Sequence, residues 1–180
     1  MSEPCNIAAS LPRLAREQPD RVAMHCPDGA GRHTSALTYA QLDARSDAIA
    51  AGLARYGIVR GTRTVVMVRP SPAFFLLMFA LFKAGAVPVL VDPGIDRRAL
   101  KQCLDEAEPQ AFIGIPLAQA ARCVLGWAKS AKRIVTVGTR WAWGGTTLAK
   151  IEAPGADAGP QLAATAPDDV AGLLFTSGST

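Results

Sequence analysis

The residues best suited to chemistry in this 180-residue chain are Thr176-Ser177-Gly178-Ser179-Thr180, which directly follow the apolar stretch 170–175. Four hydroxyls and a glycine after a buried strand are what an anion-cradling loop requires. The hydroxyls donate to phosphate oxygens, and the glycine lets backbone N–H groups turn inward and approach closely. The same five residues also suit a polar turn whose Ser and Thr side chains bond their own backbone. No G-x-x-x-x-G-K-[ST] pattern occurs, so this is not a Walker A loop. Gly29-Ala30-Gly31 begins like a dinucleotide fingerprint, but it has no third glycine and opens no capped helix, which excludes that reading.

Other chemistry is poorly provided for. Residues 81–93 read Leu-Phe-Lys-Ala-Gly-Ala-Val-Pro-Val-Leu-Val-Asp-Pro: a helix end, a glycine stop and a buried strand. Lys83 in the last helical turn complements the helix dipole, and Asp92 before Pro93 forms a strand-to-loop turn; neither needs a catalytic role. His25 and His33 are the only histidines, which leaves little for a zinc site or a Ser-His-Asp triad, and no metal ligand is assigned. Cys5, Cys26, Cys103 and Cys123 are scattered without a C-x-x-C pair, as expected of buried thiols in a reducing compartment. The net charge of +4 is unfocused, and its densest pairs, Arg97-Arg98 and Lys132-Arg133, have no interleaved aromatics, so a nucleic-acid footprint is excluded.

The elements that must position the loop follow from composition and period. With 49% hydrophobic and 19% charged residues, the chain has globular composition and can bury one ordinary core. It opens with no basic start followed by an apolar stretch, so no signal peptide is expected. The apolar stretch 74–91 is interrupted by Gly85 and Pro88 and is too short to span a membrane, so a soluble, cytoplasmic chain is expected. Asn6 can cap a first helix, and residues 22–26 and 35–37 form a hairpin around the turn Asp28-Gly29-Ala30-Gly31-Arg32. Thr38 caps a helix with apolar Leu42, Ile49, Leu53 and Tyr56, closed by Gly57.

From there strands alternate with helices. Strands are expected at 64–68, 87–91, 111–115, 134–137 and 170–175, with helices at 73–84, 97–107 and 116–128. This order predicts an α/β fold: a mostly parallel sheet with helices on both faces. Helix 73–84, apolar on nearly every face, should be the most buried. Residues 153–169, rich in Pro, Gly, Ala and Asp, read as an exposed connection before the last strand.

Taken in order, Leu37-Thr38-Tyr39-Ala40-Gln41-Leu42, the Lys83-Ala84-Gly85…Val87-Pro88-Val89…Asp92-Pro93 run, and Phe175 through Thr180 resemble three successive core motifs of the acyl-adenylating superfamily. That superfamily includes acyl-CoA synthetases, the adenylation domains of peptide synthetases and beetle-type luciferases. The spacings, about 45 and about 90 residues, are similar as well. Within it, Asn6-Ile7-Ala8, Leu11-Pro12, Pro19-Asp20 and the run from Gly85 to Gly94 resemble the β-lactone synthetases of bacterial long-chain olefin biosynthesis.

The resemblance implies ATP and Mg²⁺ as cofactors, with Thr176, Ser177, Gly178, Ser179 and Thr180 holding the nucleotide phosphates. It implies activation of a carboxylic acid as acyl-AMP, the acid being a 2-alkyl-3-hydroxyalkanoic acid that then closes to a β-lactone. Its alternatives are a long-chain fatty acyl-CoA ligase and a non-catalytic module that keeps the fold. The implied partners are a long-chain hydroxy acid or fatty acid and other enzymes of the olefin pathway. In the superfamily the third motif continues through a further glycine and a Pro-Lys-Gly element. The adenine-binding segment, the magnesium-binding glutamate and a mobile C-terminal domain with an essential lysine also lie beyond it. Residues 1–180 are therefore expected to be the N-terminal portion of the adenylating domain, with the phosphate loop beginning at 176, no catalytic residue inside and no activity alone.

Overall fold

The computed structural model describes residues 5–27, 34–92, 94–155 and 157–176. The expected turn at 28–32, Pro93, and Ser177, Gly178, Ser179 and Thr180 of the loop lie outside the described residues.

Asn6 caps a single 3-10 turn, Ile7–Ala9, its Oδ1 accepting the Ala8 N–H at 2.9 Å, and this turn leads into α1 (Ser10–Glu17). The strands β1 (Val22–Pro27) and β2 (Thr34–Thr38) pair antiparallel as a separate hairpin. Thr38 then starts α2 (Tyr39–Arg55) with a capping box: its hydroxyl accepts the Gln41 N–H, and the Gln41 side chain accepts the Thr38 N–H.

The remainder builds the main sheet. Along the chain come β3 (Arg63–Met67), α3 (Pro72–Ala84), β4 (Val87–Val91), α4 (Arg97–Ala107), β5 (Ala111–Gly114) and α5 (Pro116–Leu125). These are followed by β6 (Arg133–Thr136), β7 (Thr146–Thr147), α6 (Leu148–Glu152) and β8 (Leu173–Phe175). The spatial order is β7-β6-β5-β3-β4-β8, and every neighbouring pair is parallel.

Because side chains alternate along a strand, the sheet feeds two cores. Val65, Val89, Phe112 and Ile134 pack with Leu104 of α4, Ala118 and Ala121 of α5, and Trp127. Val66, Ile113 and Val135 pack on the other face with Ile49 and Leu53 of α2 and with Leu76, Leu77 and Leu81 of α3. The expected α/β architecture, with helices on both faces of a parallel sheet, is the one observed.

Details differ for physical reasons. The helix from Pro116 stops at Leu125, because Gly126 takes a left-handed φ of 66° and turns Trp127 and Ala128 back under the sheet. The last strand begins only at Leu173, where pairing with Val89 starts; Val170 is 59% exposed. Helix α3 has no exposed residue, as expected of a helix apolar on nearly every face, whereas the longer α2 buries eight residues fully and exposes five. Among the described residues, no helix is long and apolar enough to cross a membrane.

Candidate active site

The strand order sets a topological switch point, where open α/β sheets have their crevice, at one end of the sheet. On leaving β3 the chain enters α3, on one face, whereas β4 and β5 lead into α4 and α5, on the other. Helices that diverge in this way leave an opening outside the carboxyl ends of the strands, where open α/β sheets bind their ligands. The N-termini of α3, α4 and α5 gather at the same end. Ser71 caps α3 by accepting the Phe74 N–H at 3.3 Å, and Asp96 caps α4 by accepting the N–H groups of Arg98 (2.7 Å) and Ala99 (3.2 Å). Helix N-termini carry partial positive charge, so this end of the sheet favours an anion.

The strand β8 ends level with β4: Val91 pairs with Phe175, and the Asp92 N–H donates to the Phe175 carbonyl at 3.0 Å. Thr176 therefore emerges, exposed, at the carboxyl edge of the sheet. Of the five expected loop residues, this is the one whose position is described. Asp92 turns the chain beside it, its Oδ1 accepting the Gly94 N–H at 2.8 Å.

What holds β8 in place was not legible in the sequence. Residues 157–172 have no regular secondary structure, but they are tied down along their length. The Gln161 N–H donates to Asp47 Oδ1 at 2.9 Å, and the Ala163 N–H to the Lys83 carbonyl at 2.7 Å. The Asn6 amide donates to the carbonyls of Phe82 (2.8 Å) and Ala163 (3.1 Å).

At the centre is Lys83, only 1% exposed. Its Nζ donates to Asp43 Oδ1 (2.6 Å), the Asp43 carbonyl (2.9 Å) and Asp47 Oδ1 (2.7 Å). The dipole role assigned to Lys83 from the sequence is thus too slight. It is a buried cation that joins α3 to α2 while its own carbonyl holds the connection. The available signal was a lone lysine in an apolar helix, with two aspartates four residues apart on α2.

Further along, the Asp169 carboxyl is held below the usual carboxylate range. The Ala166 N–H, which its Oδ2 accepts at 2.9 Å, contributes most, followed by the Arg60 guanidinium at 2.6 Å. A carboxyl lowered by folding adds stability that is present above its unfolded range and lost as pH falls through the folded value. The Asp169→Asn variant should therefore be less stable than the parent near neutrality, and the difference should shrink progressively as pH falls below the ordinary carboxylate range, about pH 4. Urea unfolding near neutrality and below about pH 4 checks this; a gap that widens in acid would contradict it.

The donors expected at the loop, hydroxyls and backbone amides, are chemically matched to phosphate oxygens. Among the described residues, no group of three or more His, Cys, Asp or Glu could hold a metal ion.

A parallel sheet that gathers three helix N-termini at the carboxyl ends of its strands defines an open α/β domain of the kind that receives anionic ligands at that end. The AMP-binding enzyme family model matches residues 11–180, and the chain belongs to that family. It is 73% identical, over its whole length, to the olefin beta-lactone synthetase of Xanthomonas campestris pv. campestris, and 72% identical to that of Stenotrophomonas maltophilia. The chain covers 33% and 34% of those two proteins, so it spans about a third of the length of the curated relatives it matches. Among solved structures, an anthranilate CoA ligase in complex with anthranoyl-AMP superposes on all of this chain, covering 34% of its own, with a TM-score of 0.82 at 17% identity. At that identity the likeness shows the fold.

Proposed function

We propose that this chain is the N-terminal portion of an ATP-dependent adenylating enzyme that activates a 2-alkyl-3-hydroxyalkanoic acid and closes it to a β-lactone. The observation that carries the proposal is the emergence of Thr176 at the carboxyl edge, beside the crevice where three helix N-termini gather. The high identity to olefin beta-lactone synthetases supports the choice of acid. One substrate carboxylate oxygen attacks the α-phosphorus of ATP, the bond to the bridging oxygen breaks, and pyrophosphate leaves. The substrate's own 3-hydroxyl then attacks the acyl carbon and gives up its proton as AMP departs, which closes the four-membered ring.

The role of Thr176, Ser177, Ser179 and Thr180, with the Gly178 backbone, is to hold the phosphates in line and to bond the charge that moves onto pyrophosphate. Mg²⁺ accompanying the nucleotide would neutralise part of that charge, and no described residue is assigned to it. Cytoplasmic placement, in keeping with the scattered cysteines, and assembly with other enzymes of the olefin pathway belong to the same proposal.

In the full-length protein, Ser177→Ala and Ser179→Ala should each slow pyrophosphate release. The expected loss is about 1–3 kcal/mol of transition-state stabilisation, the value of a hydrogen bond to a charged group. Melting temperatures should hardly move. Unchanged release by the double variant would overturn the phosphate-loop assignment. Measuring AMP release from the hydroxy acid with and without coenzyme A tests the second half-reaction: lactone formation proceeds without it.

A further inference from the structure

A small depression opens at the amino end of the sheet, where β3, β5 and β6 begin. Its volume is about 280 Å³, and Gly57, Thr62, Gln110, Ser130, Lys132 and Arg133 line it. Thr62, Gln110 and Lys132 directly precede the three strands, and Gly57 lies in the turn after α2. None of the six is acidic and none has a large apolar side chain. That lining suits a polar, negatively charged ligand. The volume, just under the roughly 300–1,000 Å³ of drug-sized sites, makes it a small one.

The positive charge here has no counterpart in the protein. Among the described residues, neither Lys132 nor Arg133 has a carboxylate partner. Glu108, two residues before Gln110, contacts Arg63 instead, at 3.4 Å. Arg133 is nonetheless held in place. Its guanidinium lies against Gly57, where a Cβ would stand 2.8 Å from Nε and 3.1 Å from Nη2. The last carbonyls of α2 do not engage it: those of Gly52, Leu53 and Ala54 accept the N–H groups of Tyr56, Ile58 and Gly57. Gln110 is fixed as well. Its backbone bonds Arg63, Lys132 and Arg133, and its Oε1 accepts the Arg63 N–H at 2.7 Å. With that oxygen committed, the side-chain amide presents its two N–H donors. Gln110, Lys132 and Arg133 are all exposed, so a solute can reach them.

A guanidinium fork, an ammonium and a primary amide around one small polar depression match the several oxygens and the double charge of a phosphate group. We infer that this depression is an oxyanion site that takes a phosphate dianion, free or as the monoester of a small polar molecule. Arg133 and Gln110 supply donors held by the fold, and Lys132, on its flexible stem, adds a charge that follows the bound oxygens. The inference does not depend on the adenylation reading, because Thr176 emerges at the opposite end of these parallel strands.

Calorimetric titration of the full-length protein at matched ionic strength tests it, with inorganic phosphate, glycerol 3-phosphate and acetate as probes. The parent for these titrations carries Ser177→Ala and Ser179→Ala, so that the hydroxyl loop contributes least. Phosphate should bind at a saturable site with a Kd of about 1 mM or below, and acetate at least about tenfold more weakly. Glycerol 3-phosphate binding as tightly as phosphate identifies an ester ligand, and phosphate binding alone identifies the free ion. Arg133→Gln and Gln110→Glu should each weaken phosphate about tenfold or more. The second keeps an acceptor for the Arg63 N–H while placing a carboxylate in the depression. Lys150→Gln removes an exposed cation from α6 and should leave binding unchanged, which separates a site from mere net charge. Melting curves taken alongside identify any variant that fails to fold, and if Gln110→Glu does so, Arg133→Gln decides. The inference is overturned if phosphate does not saturate, if acetate binds as tightly, if folded Arg133→Gln binds phosphate like the parent, or if Lys150→Gln weakens it as much.

Discussion

Lys83→Met is expected to destabilise the protein by about 3–5 kcal/mol, the usual result of removing one partner from a buried ion pair. The substitution keeps the length of the side chain and removes its charge. Asp43 and Asp47, with side chains 18% and 9% exposed, would then share a nearly dry space with no cation between them. Asp47 would keep the Gln161 N–H, but a single amide does not offset a carboxylate that has lost its charge partner. Against the 5–15 kcal/mol typical of whole domains, the loss is large. Adding Asp47→Asn to the variant should restore part of it, since one uncompensated charge is gone. Urea midpoints of the parent, single and double variants measure both effects. A Lys83→Met protein as stable as the parent would show that the cluster anchors nothing.

The second large effect is expected at Gly52. Inside a helix, Gly→Ala ordinarily gains up to about 1 kcal/mol from propensity alone. Here a Cβ on Gly52 would stand 2.0 Å from the Ile151 carbonyl oxygen and 2.8 Å from its carbon. Both are backbone atoms of α6, so no side chain can rotate away. Gly155, in the turn that follows α6, faces α2 in the same manner, 2.0 Å from the Ala48 oxygen. The two glycines allow α6 and its turn to lie directly on α2. Overpacking against backbone outweighs propensity, and Gly52→Ala should lose about 3 kcal/mol. For a chain of this size the melting temperature would fall by roughly 6–12 °C. A rise in melting temperature would refute the close approach.

The parts of the fold that declare themselves locally could be read from the sequence. The β-branched run in β3, the Thr38 and Ser71 caps and the Gly85 stop each state a backbone preference without reference to distant residues. The parts that depend on distant partners could not. The two-residue strand β7 and the five-residue α6 are too short to show a period, and they exist because β6 and α2 stand ready to receive them. Lys83 was read against its own helix, although all three of its hydrogen-bond partners are on α2. The connection 157–172 was read from its Pro and Gly content as merely exposed; its backbone bonds to Asp47 and Lys83 come from residues far away in sequence. The hydroxyl-rich motif after a strand could be proposed from the sequence, because side-chain chemistry survives in a one-dimensional reading; Thr176 is the one of its residues whose place is described. That Arg63 Nε and Thr165 Oγ1 are buried without a hydrogen-bond partner was not legible, since burial is a property of the assembled molecule.

The pairing of β8 with β4, a strand about 80 residues earlier, also bears on how the protein is made. As the chain leaves the ribosome, β3 through β6 and their linking helices can assemble from neighbours joined by short connections. Throughout that interval the outer backbone groups of β4 have no partner, and a bare strand edge is a template for another nascent chain. The exposure of β4 ends when the connection is tied to Asp47 and Lys83 and delivers β8. Until then Thr176 has no fixed place beside the crevice. On this view the Lys83 cluster acts as a late checkpoint in biogenesis: it covers the exposed side of β4 with β8 and, in the same step, completes the edge from which Thr176 departs.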